Sequence, residues 1–136
     1  MILVDTSVLI DYLKGTQNAK TELFEMVLRQ ELPYGIAAYT YQEVLQGART
    51  EAEFSTLRSY LGSQKIYSLP EDPQSYEDAA RLYFDLRRKG VTIRSTIDIL
   101  IARTAIFHGL YLLHNDRDFD VMADAWKDLK SLDRLL

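Results

Sequence analysis

The sequence predicts an α/β protein, a three-layer α/β/α sandwich built on a mainly parallel sheet. Three observations predict it. Apolar runs such as Ile2-Leu3-Val4 and Leu110-Tyr111-Leu112-Leu113 lack polar alternation, as strands covered on both faces do. Between the runs lie longer stretches whose apolar residues recur at helical spacing. Strands that alternate with helices along one chain build a parallel sheet with helices on its faces.

Composition sets the bounds. At 136 residues and 47% hydrophobic, the chain is expected to form one domain over residues 1–136 with a sizeable core. It has no cysteine, which excludes disulfides and thiolate metal sites and leaves oxygen atoms or the two histidines to hold any metal. No apolar stretch is long enough to span a bilayer, and the amino terminus opens on a strand without a basic leader, so a cytoplasmic location is expected. Sixteen basic against twenty acidic residues give a net charge of −4, which argues against coating nucleic acid by bulk charge. A local basic patch remains compatible with that balance.

The first strand, Ile2-Leu3-Val4, ends in Asp5 and turns through Thr6-Ser7, either of which can cap a helix over residues 8–14. Val8, Leu9, Tyr12 and Leu13 form the stripe of that helix and Gly15 stops it. Residues 17–30 carry Ala19, Leu23, Phe24, Val27 and Leu28 at helical spacing, and Pro33 closes the segment. A short buried strand is predicted over residues 35–38. Thr40-Tyr-Gln-Glu43 has the form of a capping box that opens a helix to residue 49, paired with another over residues 51–61. Residues 65–69 read as a strand that Pro70 stops. Pro73 suits the first turn of a helix with Tyr76, Ala79, Ala80, Tyr83 and Leu86 on its core stripe, ending at Arg87-Arg88-Lys89-Gly90. Ser95-Thr-Ile-Asp98 opens a helix that is apolar nearly all round, hence central, and ends at His108-Gly109. The strand over residues 110–113 leads into His114-Asn115-Asp116-Arg117-Asp118. The segment from Trp126 to Leu136 yields no assignment.

Four carboxylates occupy equivalent places. Asp5 and Asp116 stand just past apolar strands, and Glu43 and Asp98 stand in the first turns of helices. Each also has a structural reading: Asp5 and Asp116 as turn caps, Glu43 and Asp98 as partners of Thr40 and Ser95 in capping boxes. Asp98 shares a stripe with Ile101, Ala102 and Ala105, where an unpaired carboxylate carries a heavy desolvation cost. No basic residue stands at the matching strand ends, whereas a divalent cation would compensate several carboxylates together. Hard oxygen ligands favour Mg²⁺ or Mn²⁺ over zinc. Such ions activate water, orient a phosphodiester and offset the charge that develops during its displacement, which is the chemistry of a nuclease.

Ile-Leu-Val-Asp5-Thr-Ser-Val-Leu-Ile-Asp, Glu43 at a helix start, Ser-Thr-Ile-Asp98-Ile-Leu-Ile-Ala and Leu-Leu-His-Asn-Asp116-Arg-Asp118-Phe together resemble the PIN-domain ribonucleases, specifically the VapC-like toxins of toxin–antitoxin modules. The resemblance spans nearly the whole chain. It implies a PIN-like fold and a Mg²⁺- or Mn²⁺-dependent endoribonuclease whose catalytic and metal-binding quartet is Asp5, Glu43, Asp98 and Asp116, with Asp118 as a fifth candidate ligand. It also implies a homodimer and a cognate antitoxin seated between the amino-terminal helices, with Phe24, Leu28, Phe54 and Leu57 as candidate contacts, against the structural reading of ordinary core. For an RNA substrate, Arg87, Arg88, Lys89 and Arg94 are candidate phosphate contacts, against the structural reading of a solvated helix end. His114 departs from the family pattern, which more often has a small hydroxyl residue there.

Other chemistries lack their residues. A phosphoaspartyl phosphatase needs a second Asp where Ser7 stands, no Ser-His-Asp pattern is legible, and no Gly-rich phosphate loop is present. The rival reading is a catalytically inactive PIN-like module that keeps the acids for folding or partner binding.

Overall fold

A computed structural model describes residues 1–133. The chain runs β1 (Ile2–Val4), α1 (Thr6–Leu13), α2 (Ala19–Arg29), β2 (Tyr34–Ala37), α3 (Ala38–Gln46), α4 (Glu51–Gly62), β3 (Lys65–Tyr67), α5 (Pro73–Arg88), α6 (Thr96–His108), β4 (Tyr111–Leu113), α7 (Arg117–Ala125) and β5 (Lys130–Ser131). The five strands form one sheet in the order β3-β2-β1-β4-β5, and every pairing is parallel.

The strands alternate sides, as their pleat requires. Leu3, Ala37 and Leu112 point into a core shared with α5, α6 and α7, whereas Ile2, Val4, Ile36 and Leu113 point into a second core with α1, α2 and α4. Both faces of β1 are thus dry, as are those of β4 at Leu112 and Leu113, which accounts for their apolar runs; Tyr111, at the start of β4, is exposed. Each fully buried Val, Leu or Ile of this kind stabilises by about 1.5–3 kcal/mol. The three layers match the expected sandwich.

Local differences from expectation have identifiable causes. The cap of α1 is Asp5, whose side chain accepts the Ser7 N–H, in place of Thr6 or Ser7. Helix α3 starts two residues earlier than Thr40, at Ala38; its cap, Ala37, makes no side-chain bond, so the Thr40–Glu43 box does not form. Ser95 caps α6 without a side-chain bond, so the box with Asp98 is absent too. Tyr76 is 52% exposed and is not core, because α5 covers the sheet with Ala79 and Leu86. The unassigned tail contributes β5, too short and polar to carry a strand pattern. Residues 134–136, the end of that tail, lie outside the described residues.

Candidate functional site

Strand order reverses at β1: the chain moves outward through β2 and β3, then returns to lay β4 on the other side of β1. Such a switch point opens a crevice beyond the carboxyl ends of the strands. Asp5 follows β1, Asp116 follows β4, and α3 and α6 pack against each other to bring Glu43 and Asp98 to the same edge.

Asp5 is only 3% exposed. Its Oδ2 accepts the Ser7 N–H at 3.0 Å and the Ser7 hydroxyl at 2.6 Å. Ser7 Oγ in turn accepts the Asn115 N–H at 3.0 Å, tying the end of β1 to the end of β4. Asp5 Oδ1 is buried and has no partner. Burial is the main cause that lifts the Asp5 carboxyl to about 6, with the Ser7 bonds opposing and the Glu43 charge adding to it.

Glu43 is oriented from α1. The Thr6 hydroxyl donates to Glu43 Oε1 at 2.7 Å; with its proton committed there, Thr6 accepts from the buried Thr40 hydroxyl at 3.0 Å. Asp98, half-buried, has no ion-pair partner among the described residues. Burial first, then the charges of Asp5, Asp116, Glu43 and Asp118, push it up to about 7. Five carboxylates therefore feel one another at this edge.

Asp98, Asp116 and Asp118 each place one oxygen within 4.8 Å of the others. Asp116 caps α7, accepting the Asp118 N–H at 2.9 Å through Oδ1. Its cap role and its place in the cluster coexist, because Oδ2 stays out of the cap. Asp118, the fifth candidate, belongs to this trio, whereas Asp5 and Glu43 stand beside it. Arg94 ion-pairs with Asp116 at 3.9 Å and Asp118 at 3.5 Å. Arg94, expected to hold RNA phosphates near the acids, reaches them from the loop before α6 and not from a strand end.

His114 faces away from the cluster. Its Nδ1 accepts the Asp116 N–H at 3.3 Å, which leaves the proton on Nε2 to bond Ser131 Oγ at 3.1 Å. Burial holds the imidazole below its ordinary value, so its 3.6 Å approach to Asp120 is not an ion pair at neutral pH. The histidine secures β5 to the Asp116 turn.

The basic candidates separate. Arg94 is at the acids, while Arg87 lies over the Tyr83 ring and Arg88 over the Phe84 ring of their own helix, and Lys89 is the exposed cap of α5. Phe24 is fully buried with edge contacts to Tyr12 and Tyr34, so it is core and cannot meet a partner. An open groove of about 890 Å³ does lie between α1, α3 and α4, lined by Ile10, Leu13, Val44, Leu57 and, at the acidic edge, Glu43. Among the described residues no helix is long and apolar enough to cross a membrane.

An oxygen-only cluster with an orphaned, fully buried Asp5 Oδ1 fits a hard divalent cation, since nothing else described here compensates that oxygen or Asp98. Sequence reasoning missed Thr6, Ser7 and Thr40 as orienting groups. Their hydroxyls beside the acids were available signals, obscured by their reading as caps.

The PIN domain family matches residues 2–125 of the chain. Ribonuclease VapC11 of Mycobacterium tuberculosis is 33% identical over 124 residues, covering 90% of this chain and 92% of that protein. Of solved structures, VapBC2 from Rickettsia felis bound to a promoter DNA fragment matches with a TM-score of 0.72 at 17% identity, over 96% of this chain and 97% of that one. A toxin–antitoxin complex from Klebsiella pneumoniae matches with a TM-score of 0.65 at 25% identity, over 88% and 90% of the two chains.

Proposed function

This chain belongs to the PIN domain family, and from that premise we propose that it is a divalent-cation-dependent endoribonuclease toxin restrained by a cognate antitoxin. The observation that carries the proposal is Asp5 Oδ1, a buried carboxylate oxygen with no partner, at the edge where Glu43, Asp98, Asp116 and Asp118 converge. A buried carboxylate oxygen without a partner carries a heavy desolvation cost, which a bound cation would offset. The ribonuclease name of the 33%-identical relative supports the choice of RNA phosphodiester as substrate.

Asp5, Asp98, Asp116 and Asp118 would hold Mg²⁺ or Mn²⁺, with Glu43 oriented towards the same space. When bound, the ion would supply Lewis-acid polarisation of the phosphoryl oxygen and a nucleophilic water at neutral pH. The chain's own part is orientation. Ser7 holds Asp5 Oδ2 and leaves Oδ1 uncommitted, and Thr6 holds Glu43 through Oε1. The Ser7–Asn115 bond keeps the Asp116 turn in register with Asp5. Exposed Arg87, Arg88, Lys89 and Arg94 would meet substrate phosphates.

The relatives solved as toxin–antitoxin complexes support an antitoxin partner, for which the groove between α1, α3 and α4 is suited by its apolar lining and its opening at Glu43. We place Phe54 and Leu57 of α4 and Leu28 of α2 among the partner contacts, and expect a homodimer in a cytoplasmic setting. The experiment is cleavage of a fluorescent RNA with Mg²⁺ or Mn²⁺, with chelator, and with Asp5→Asn. Cleavage should require the ion and fall at least about a hundredfold in the variant, since even outer-shell partners of metal ligands are worth about 10–100-fold. Cleavage that survives both chelator and Asp5→Asn would refute the reading.

A further inference from the structure

Arg94 is bound where a cation should go. Its Nη2 lies 3.9 Å from Asp116 Oδ1, its Nε lies 3.5 Å from Asp118 Oδ2, and its own backbone N–H reaches Asp118 Oδ2 at 3.4 Å. Among the described residues no other cationic side chain pairs with Asp5, Glu43, Asp98, Asp116 or Asp118. Both carboxylates it holds belong to the trio whose oxygens lie within 4.8 Å of one another. A divalent ion in that trio and a guanidinium on the same carboxylates repel each other and compete for the same lone pairs.

The side chain is free to leave. It is 79% exposed, so swinging outward forfeits little packing, and the backbone bond to Asp118 keeps its Cα at the rim of the site. From there a planar fork of five donors, always charged, matches a phosphate oxygen pair.

We propose that Arg94 is an exchangeable internal counterion: it offsets part of the charge of Asp116 and Asp118 in the metal-free protein, yields them to an entering divalent cation, and then takes a phosphate of the RNA strand. The RNA half of this inference rests on the ribonuclease reading; the competition between guanidinium and cation does not. Cation and RNA then assist each other's binding, since each favours the state with Arg94 turned outward.

The test uses the full chain as wild type, Arg94→Gln and Arg94→Lys, with thermal melts to verify folding. Mn²⁺ binding is followed without RNA by the electron paramagnetic resonance of free Mn²⁺. Binding of a fluorescent, uncleavable 2′-O-methyl RNA oligonucleotide is followed by anisotropy with and without Mn²⁺. Arg94→Gln should bind Mn²⁺ about two- to fivefold tighter at low salt, as suits an exposed pair, and the gain should fade at high ionic strength. The same variant should lose most of the Mn²⁺-dependent increase in RNA affinity, and Arg94→Lys should retain part of it. Unchanged or weaker Mn²⁺ binding by Arg94→Gln overturns the counterion role. Tighter Mn²⁺ binding with an undiminished Mn²⁺-dependent RNA increment overturns the phosphate role. Cleavage of unmodified RNA, run in parallel, separates the parent reading: no cleavage with tightened Mn²⁺ binding sinks the ribonuclease and leaves the competition standing, and cleavage without tightening does the reverse. A wild type that binds no Mn²⁺ ends both.

Discussion

The Thr6 hydroxyl stands 2.7 Å from Glu43 Oε1, joining the first turn of α1 to the far half of α3. Glu43 is therefore held across the site and takes no part in capping its own helix. Glu43→Gln keeps an oxygen for Thr6 but supplies no negative charge, so RNA cleavage should fall by about a hundredfold while the melting temperature moves by no more than about 2 °C. Thr6→Val, nearly isosteric, should lower cleavage by about ten- to a hundredfold, and Thr6→Ser should restore it. Wild-type turnover in Glu43→Gln would remove Glu43 from the site, and wild-type turnover in Thr6→Val would leave the bond without consequence.

The same residues show how far the sequence is legible. The runs of β1 and β4 and the all-round apolar α6 announce themselves because burial on two faces erases polar alternation. The acids are legible one by one, because each follows a strand or opens a helix. Their orienting partners are not: Thr6 and Thr40 are 34 residues apart, and local spacing offers the nearer capping role for each. Arg94 is legible as a basic residue before the Asp98 helix, but its pairing with Asp116 and Asp118 is not, since a loop brings it to carboxylates far along the chain. β5 pairs through only two residues, one of them lysine, and owes its place to β4 and to the His114–Ser131 bond.

Ser7 carries two bonds with one hydroxyl, giving its proton to Asp5 and accepting from Asn115. Ser7→Ala removes both and leaves the Asn115 N–H without its partner. The variant should lose about 1–2 kcal/mol of stability in urea unfolding. Because the Ser7 bonds pull the Asp5 carboxyl down, its titration should also move above the value of about 6 that it has with Ser7 present. Carbon-13 chemical shifts of the Asp5 carboxyl across pH would read this directly, and a downward or absent shift would contradict the geometry.

Gly35 serves packing. A Cβ at this position would lie 2.5 Å from the Tyr67 ring and 2.6 Å from the Lys65 carbonyl oxygen, across the β2–β3 pairing. The ring can turn, but the carbonyl belongs to the ladder. Gly35→Ala should cost about 1–3 kcal/mol and raise amide exchange first in β3, the edge strand. Unaltered stability would show that the edge gives way without loss.

Asp98 links the electrostatics of the site to the stability of the whole chain. Its carboxyl is pushed to about 7 in the folded protein against an ordinary 3.8, by burial first and then by Asp5, Asp116, Glu43 and Asp118. Between those values the folded state binds more protons than the unfolded one, so stability falls as pH rises from about 4 through about 7. Asp5, lifted to about 6, acts in the same direction over a narrower window. The metal-free protein is consequently strained at neutral pH and relaxed in mild acid. Asp98→Asn removes the charge and nearly keeps the shape, so without metal it should melt no lower than wild type, and about 2–4 °C higher at pH 8, with the gap closing towards pH 4. Partial exposure of this side chain limits the gain. Cations that bind only the folded state should raise the wild-type melting temperature, more at pH 8 than at pH 5.5, where protons compete for the same oxygens. In Asp98→Asn that Mn²⁺-induced rise should shrink or vanish. Thermal melts of both proteins at pH 5.5 and 8, with chelator and with Mn²⁺, distinguish the outcomes. A variant that melts well below wild type in chelator would mean that the carboxylate is paired within the fold, and the metal role of Asp98 would fail with it.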